Sequence, residues 1–237
     1  MRVSRIALLL LLFTNFGFSA SQLIVFERDN GIWVGNLDGS APRKIAGGNL
    51  PEISSDGTRV AFTTDEPSKT SPIRHIAVVE IASGRTTVFK DLPSDNSFGP
   101  VWSPDNKSLL FSIYIEGDWQ LAFVNADGSN FRIVKKAEKG NESCNVPAWA
   151  PDGKSFYCHT LDSIFQFALD GTLIKKWDIH SILENGDMNS NSRINVSPDG
   201  KSLIIDIDMD EEQDRENWDG PHLQSGYWIW LQEKQSG

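Results

Sequence analysis

One phrase, written four times, constrains this chain more than any other feature. It reads Pro51-Glu-Ile-Ser-Ser-Asp-Gly-Thr58, Pro100-Val-Trp-Ser-Pro-Asp-Asn-Lys107, Pro147-Ala-Trp-Ala-Pro-Asp-Gly-Lys154 and Ile194-Asn-Val-Ser-Pro-Asp-Gly-Lys201. The aspartates Asp56, Asp105, Asp152 and Asp199 stand 49, 47 and 47 residues apart. A strand-rich, turn-rich repeat of that length cannot bury its own apolar faces and must stack on copies of itself, as propeller blades and solenoid units do.

Within each copy an apolar strand A leads into the Pro-Asp-Gly turn, then a strand B, a variable loop and a strand C. A second phrase, Asn36-Leu-Asp-Gly-Ser40, Asn125-Ala-Asp-Gly-Ser129 or Ala168-Leu-Asp-Gly-Thr172, then introduces a short strand D. Asp-Gly between alternating apolar runs is a hairpin signal, because glycine takes positive φ freely and aspartate bonds the turn backbone. Strand B is apolar almost throughout, as in Ser108-Leu-Leu-Phe-Ser112, which suits burial on both faces. A partial unit at the front supplies B, C and D at Leu23–Glu27, Gly31–Gly35 and Pro42–Ala46, and the last repeat stops after strand C. The expected fold is an all-β propeller of about five four-stranded blades. Either the partial ends close one ring together, or the chain is an incomplete six-bladed ring cut short at its C-terminus; the second is favoured because an unpaired edge leaves backbone groups without partners.

Arg2 and Arg5, the apolar run from Ile6 to Phe13 and the small residues ending at Ala20 read as a secretory signal peptide over residues 1–20, with the propeller occupying 21–237. The run is too short for a membrane span, which needs about 20 apolar residues. A periplasmic or extracellular location is expected. Without the two arginines the formal charge passes from −10 to −12 (−10 − 2), which disfavours nucleic acid and anionic lipid as partners. Cys144 and Cys158 could pair in an oxidising compartment. A hairpin with residue 151 opposite 154, however, sets the sulfurs about three residues out of register, which argues against a bridge.

The Pro-x-Trp-Ser-Pro-Asp-Gly-Lys phrase, followed by an apolar strand and an Asp-Gly-Ser turn, resembles the WD-like repeat of the TolB family of periplasmic β-propellers. The resemblance covers residues 22–237. It implies the propeller fold and a protein-binding role in a cell envelope. The chain differs in having no α/β domain ahead of its first strands and in supplying about five repeats where the family usually has six blades.

The repeat aspartates are read as turn residues rather than metal ligands, and Trp102 and Trp149, which share a slot with Ile53 and Val196, as core residues. Strand alternation places the short A–B and C–D turns on one face. The irregular stretches 65–74, 91–99, 136–146, 181–193 and 207–226 fall on the other, where partner binding is expected. Asp208, Asp210, Glu211, Glu212, Asp214 and Trp218 form the candidate docking patch for a basic protein surface. The alternating acids of 206–219 resemble an oxygen-rich calcium loop but lack its sixth-position glycine and final glutamate, so no cofactor is expected, with calcium there as the minor alternative. His75, His159, His180 and His222 fall in different repeats without ligand spacing, and there is no nucleophile elbow, P-loop or dinucleotide fingerprint. The chain is therefore expected to be a non-enzymatic protein-binding scaffold. A secreted propeller enzyme acting on oligosaccharide and the propeller part of a two-domain serine peptidase are the alternatives.

Overall fold

The computed structural model describes residues 23–137, 143–182, 186–190, 192–209 and 226–232, with backbone alone for 186, 187, 207–209 and 226–232. All its regular elements are strands. β1 (Leu23–Arg28), β2 (Gly31–Asn36) and β3 (Arg43–Gly47) form a three-stranded antiparallel sheet. The second sheet is β4 (Asn49–Ile53), β5 (Arg59–Glu66), β6 (Ile73–Glu80) and β7 (Thr86–Val88), in chain order. The third, β8 (Ser97–Trp102), β9 (Ser108–Ile115), β10 (Asp118–Asn125) and β11 (Arg132–Lys135), and the fourth, β12 (Asn145–Trp149), β13 (Ser155–His159), β14 (Ser163–Ala168) and β15 (Leu173–Asp178), repeat that meander. In the fifth, β16 (Gly186–Asp187) and β17 (Ile194–Val196) line successive stretches of one edge of β18 (Ser202–Met209), and β19 (Gly226–Gln232) lines the other. Its strand A is thus interrupted.

The unbroken apolar character of strand B has a direct packing cause. Alternate residues of β5 face opposite neighbours: Val60 and Phe62 pack with Ile32 and Val34 of the first sheet, while Ala61 packs with Leu109 and Phe111 of the third. The same alternation sends Leu110 toward Phe156 and Cys158, and Tyr157 toward Leu203 and Ile205. Each junction between consecutive sheets therefore holds its own apolar cluster, and no sheet is self-sufficient. Strand A of each sheet rests on the sheet before it. Arg193, just ahead of β17, acts electrostatically on Glu52 of β4, whose carboxyl burial pushes above its usual pKa.

The turns behave as their chemistry dictates. Ser54, Ser103 and Ser197 donate hydroxyl bonds of 2.6, 2.7 and 2.7 Å to Asp56, Asp105 and Asp199, holding each carboxyl below its ordinary pKa. These aspartates are structural. Asn106 takes the glycine slot of its turn at φ 59° and uses its side-chain oxygen to accept from the Ser55 amide of the preceding sheet, at 2.8 Å. Trp102 and Trp149 donate from their indole nitrogens to the carbonyls of Glu52 and Val101, one sheet back, at 3.0 and 3.2 Å. Both are inter-sheet fasteners, in keeping with a core assignment.

Strand A also carries a bulge in three sheets, at Leu50, Gly99 and Val146, each with positive φ (51°, 64° and 42°) and each preceding a proline. This bulge corrects the expectation for the cysteines. It shifts Asn145 opposite His159, one residue from the regular register, and Cys144 and Cys158 are joined in a disulfide with Cα atoms 5.7 Å apart.

Candidate functional site: an aromatic platform on the long-loop face

The end of each sheet opposite the Pro-Asp-Gly turns is built from the last residues of strand B and the first of strands A and C. Several long loops expected there are shorter than their sequence suggested, because β5 runs on to Glu66 and β6 begins at Ile73. In the third sheet Glu116 and Gly117 alone join β9 to β10, at φ 57° and 92°, the mirror-type turn whose twist suits a hairpin. That tight turn sets Tyr114 opposite Trp119 in register, with ring centroids 5.2 Å apart. Phe98 of β8 meets Trp119 edge-on at 4.9 Å.

Arg74 of β6, one sheet back, lays its guanidinium over both rings, 4.8 Å from Phe98 and 5.4 Å from Trp119. Its Nε donates to the Asn96 side-chain oxygen at 2.9 Å, and its backbone amide bonds the Asp95 carbonyl at 2.8 Å. Partial burial draws its pKa down while Asp65 opposes the shift. Tyr114 is 40% exposed, and Asp65, Asp95, Glu116 and Asp118 are exposed nearby. The result is an aromatic surface with one guanidinium already stacked on it and an excess of carboxylates around it. Such a surface can stack apolar or cationic groups.

Inter-sheet clips lie at this same end. Glu27 accepts from the Leu50 amide and Thr63 from the Gly99 amide, both at 3.1 Å. His159 occupies the equivalent strand position. It is fully buried, and both its ring nitrogens face backbone carbonyls, Nδ1 to Thr160 at 2.9 Å and Nε2 to Ser192 at 2.8 Å. Burial holds its pKa below 6.5, the two carbonyls opposing. The unfolded chain therefore binds more protons than the folded one below that value. Stability is complete above about pH 6.5 and falls as pH drops beneath it. Thermal melts between pH 7.5 and 5 should show a declining Tm, with a smaller slope in His159→Gln; equal slopes would exclude His159 as the cause.

His75, also buried, lies 4.0 Å from Asp95, and its Nδ1 has no hydrogen-bond partner among the described residues. Among the described residues no group of three or more His, Cys, Asp or Glu side chains could hold a metal ion. His75 and His159 stand two sheets apart, and His222 lies outside the described residues.

The candidate docking patch is placed only at its edge. Asp208 is a residue of β18, paired with Asp187 and Gly226, rather than of a loop, because strand B of the fifth sheet extends to Met209. Asp210, Glu211, Glu212, Asp214 and Trp218, with the weighed calcium stretch, lie outside the described residues. The platform residues Arg74, Phe98, Tyr114 and Trp119 were not singled out in the sequence. A signal was present: aromatic residues flanking Glu116-Gly117 at positions that a two-residue hairpin must juxtapose.

No protein-family model matches the chain. The curated peptidase YuxL of Bacillus subtilis, itself called uncharacterized, is 31% identical over 108 residues, which are 44% of this chain and 16% of that protein. The crystal structure of TolB from Acinetobacter baumannii superposes with a TM-score of 0.57 at 16% identity, covering 90% of this chain and 53% of that one. An oligogalacturonate lyase in complex with manganese gives 0.57 at 17% identity, covering 78% and 55%. The chain therefore has the TolB-like propeller fold, and it spans about one sixth of the peptidase relative and about half of each structure. The expectation of a non-enzymatic chain is corrected by these matches, since a protein named as a peptidase is similar in sequence to part of this chain and one named as a lyase shares its fold. A propeller is a scaffold, and catalytic groups can sit on its loops or on an attached domain, so a lack of motifs in the repeats carried no weight against enzymatic kinship.

Proposed function

We propose that this chain is an exported polypeptide-binding propeller whose contact surface is the long-loop face. The observation that carries this reading is the open platform of Phe98, Tyr114 and Trp119, braced by Arg74 and ringed by Asp65, Asp95, Glu116 and Asp118. Aromatic anchors with a charged rim are the usual composition of an energetic centre in a protein contact. The acids Asp208, Asp210, Glu211, Glu212 and Asp214, with Trp218, belong to the proposal as an acidic arm, because β18 runs toward this same end. Export is supported by the leader-like residues 1–20 and by the Cys144–Cys158 disulfide, which suits an oxidising compartment. Holding a polypeptide is required equally of an envelope receptor and of a propeller that serves a peptidase, so the reading stands beside the enzymatic relatives.

The test is a peptide array probed with the labelled mature chain. Retained peptides should be enriched in lysine or arginine next to apolar residues, and Trp119→Ala and Tyr114→Ala should each lower the retained signal about tenfold. Equal capture by the variants, or capture without that bias, would refute the assignment.

A further inference from the structure

The inter-sheet junctions are filled differently near the Pro-Asp-Gly turns, and the one between the fourth and fifth sheets carries a cleft there. Between the second and third sheets the first residue of strand B is Arg59, whose guanidinium stacks on Trp102 at 4.5 Å and bonds the Asn106 carbonyl at 2.5 Å. Between the third and fourth, Phe123 meets Trp149 at 6.4 Å, and Arg132 lies over Phe123 at 4.3 Å. Each of these junctions is thus closed by an aromatic ring and a guanidinium.

Between the fourth and fifth sheets the corresponding positions are Ser155 in place of Arg59, Gln166 in place of Phe123, and Val196 in place of the tryptophan. Val196 packs against the apolar cluster of this seam, and Ser155 and Gln166 are bonded to one another. A cleft of about 490 Å³ remains, lined by Ser155, Tyr157 and Gln166 on one side and by the turns around Asp152 and Asp199 at its mouth. Its size falls within the range of small-ligand sites. Ser155 Oγ accepts from Gln166 Nε2 at 3.0 Å, so the polar wall is ordered. Asp152 and Asp199 are among the lining residues, and the carboxylate of each also accepts from the lysine amide two residues on, at 2.9 and 3.1 Å.

We propose that this cleft binds the arginine side chain of a polypeptide, which fills the junction as Arg59 fills the one between the second and third sheets. The ring of Tyr157 supplies an aromatic wall, the Asp152 and Asp199 carboxylates favour the positive charge, and the turn carbonyls take the place of the Asn106 acceptor. The site lies at the turn end of the sheets, away from the aromatic platform, and is independent of it.

The experiment is a titration of the full mature chain, labelled with nitrogen-15, with the peptide acetyl-Gly-Arg-Gly-amide. Saturable shifts are expected at the amides of Gly153, Ser155 and Gly200, with a dissociation constant of about millimolar order. Acetyl-Gly-Gln-Gly-amide should leave them unmoved. Ser155→Arg, which rebuilds the Arg59 arrangement within the chain, should weaken binding at least about tenfold, whereas Leu37→Ala, at an exposed turn of the first sheet, should not change it. The wild-type mapping stands even if a variant fails to fold. No saturable shift, equal shifts with the glutamine peptide, unchanged affinity in a folded Ser155→Arg, or equal affinity for guanidinium ion alone would each overturn the proposal.

Discussion

Replacing Phe111 by alanine lowers the unfolding free energy by about 3–5 kcal/mol, the range for deleting a buried phenyl ring. Phe111 is the central residue of β9, fully buried, and packs with Ala61, Ile76 and Val78 of the preceding sheet. The ring of Phe131, the residue before β11, lies 6.5 Å away. The cavity opens in the seam between two sheets, where rigid strands on either side prevent collapse, so the cost belongs at the upper part of that range. In a chain of this size the loss corresponds to a fall in Tm of roughly 10 °C. Denaturant melts of Phe111→Ala beside Tyr114→Ala are the informative pair, since Tyr114 is solvent-facing and should cost about 1 kcal/mol or less. A Phe111→Ala loss no greater than that of Tyr114→Ala would show that the seam is not a close-packed core.

The second large effect is expected at the disulfide. Cys144 and Cys158 are 14 residues apart in sequence, and cross-linking a loop of that length removes enough freedom from the unfolded chain to stabilise the fold by about 3 kcal/mol. Both half-cystines are buried among Phe156, Phe167 and Leu110, so the bridge also belongs to the seam between the third and fourth sheets. Urea melts with and without reductant, and of the double variant Cys144→Ser with Cys158→Ser, should show a loss of about 2–5 kcal/mol. Unchanged midpoints on reduction would mean that the bridge does not constrain the unfolded chain. The same bond implies poor folding yield in a reducing cytosol.

The strands and hairpins were legible because they are written locally. Pro-Asp-Gly and Asp-Gly-Ser fix turns through the backbone freedom of glycine and the reach of a short carboxylate, and the double-faced apolar pattern of Ser108-Leu-Leu-Phe-Ser112 can be satisfied only between two neighbours. The disulfide was misjudged because the bulge at Val146 obeys no local preference: a β-branched residue before proline avoids positive φ, yet takes it here within an inter-sheet contact. The platform was missed for a related reason. Arg74, Phe98, Tyr114 and Trp119 come from four strands of two sheets, and only their registry brings them together.

The amino-acid sequence alone thus determined the repeating unit, its four-stranded form and the structural duty of Asp56, Asp105 and Asp199, because turn geometry and strand alternation act over a few bonds. Tertiary structure alone decided that the two cysteines meet, where aromatic rings cluster, and that a cleft lies beside Ser155 and Gln166 whereas Arg59 stacks on Trp102 in another junction. Those outcomes depend on how side chains from repeats nearly fifty residues apart fill a shared seam, and filling is a property of the assembled neighbours rather than of any one repeat.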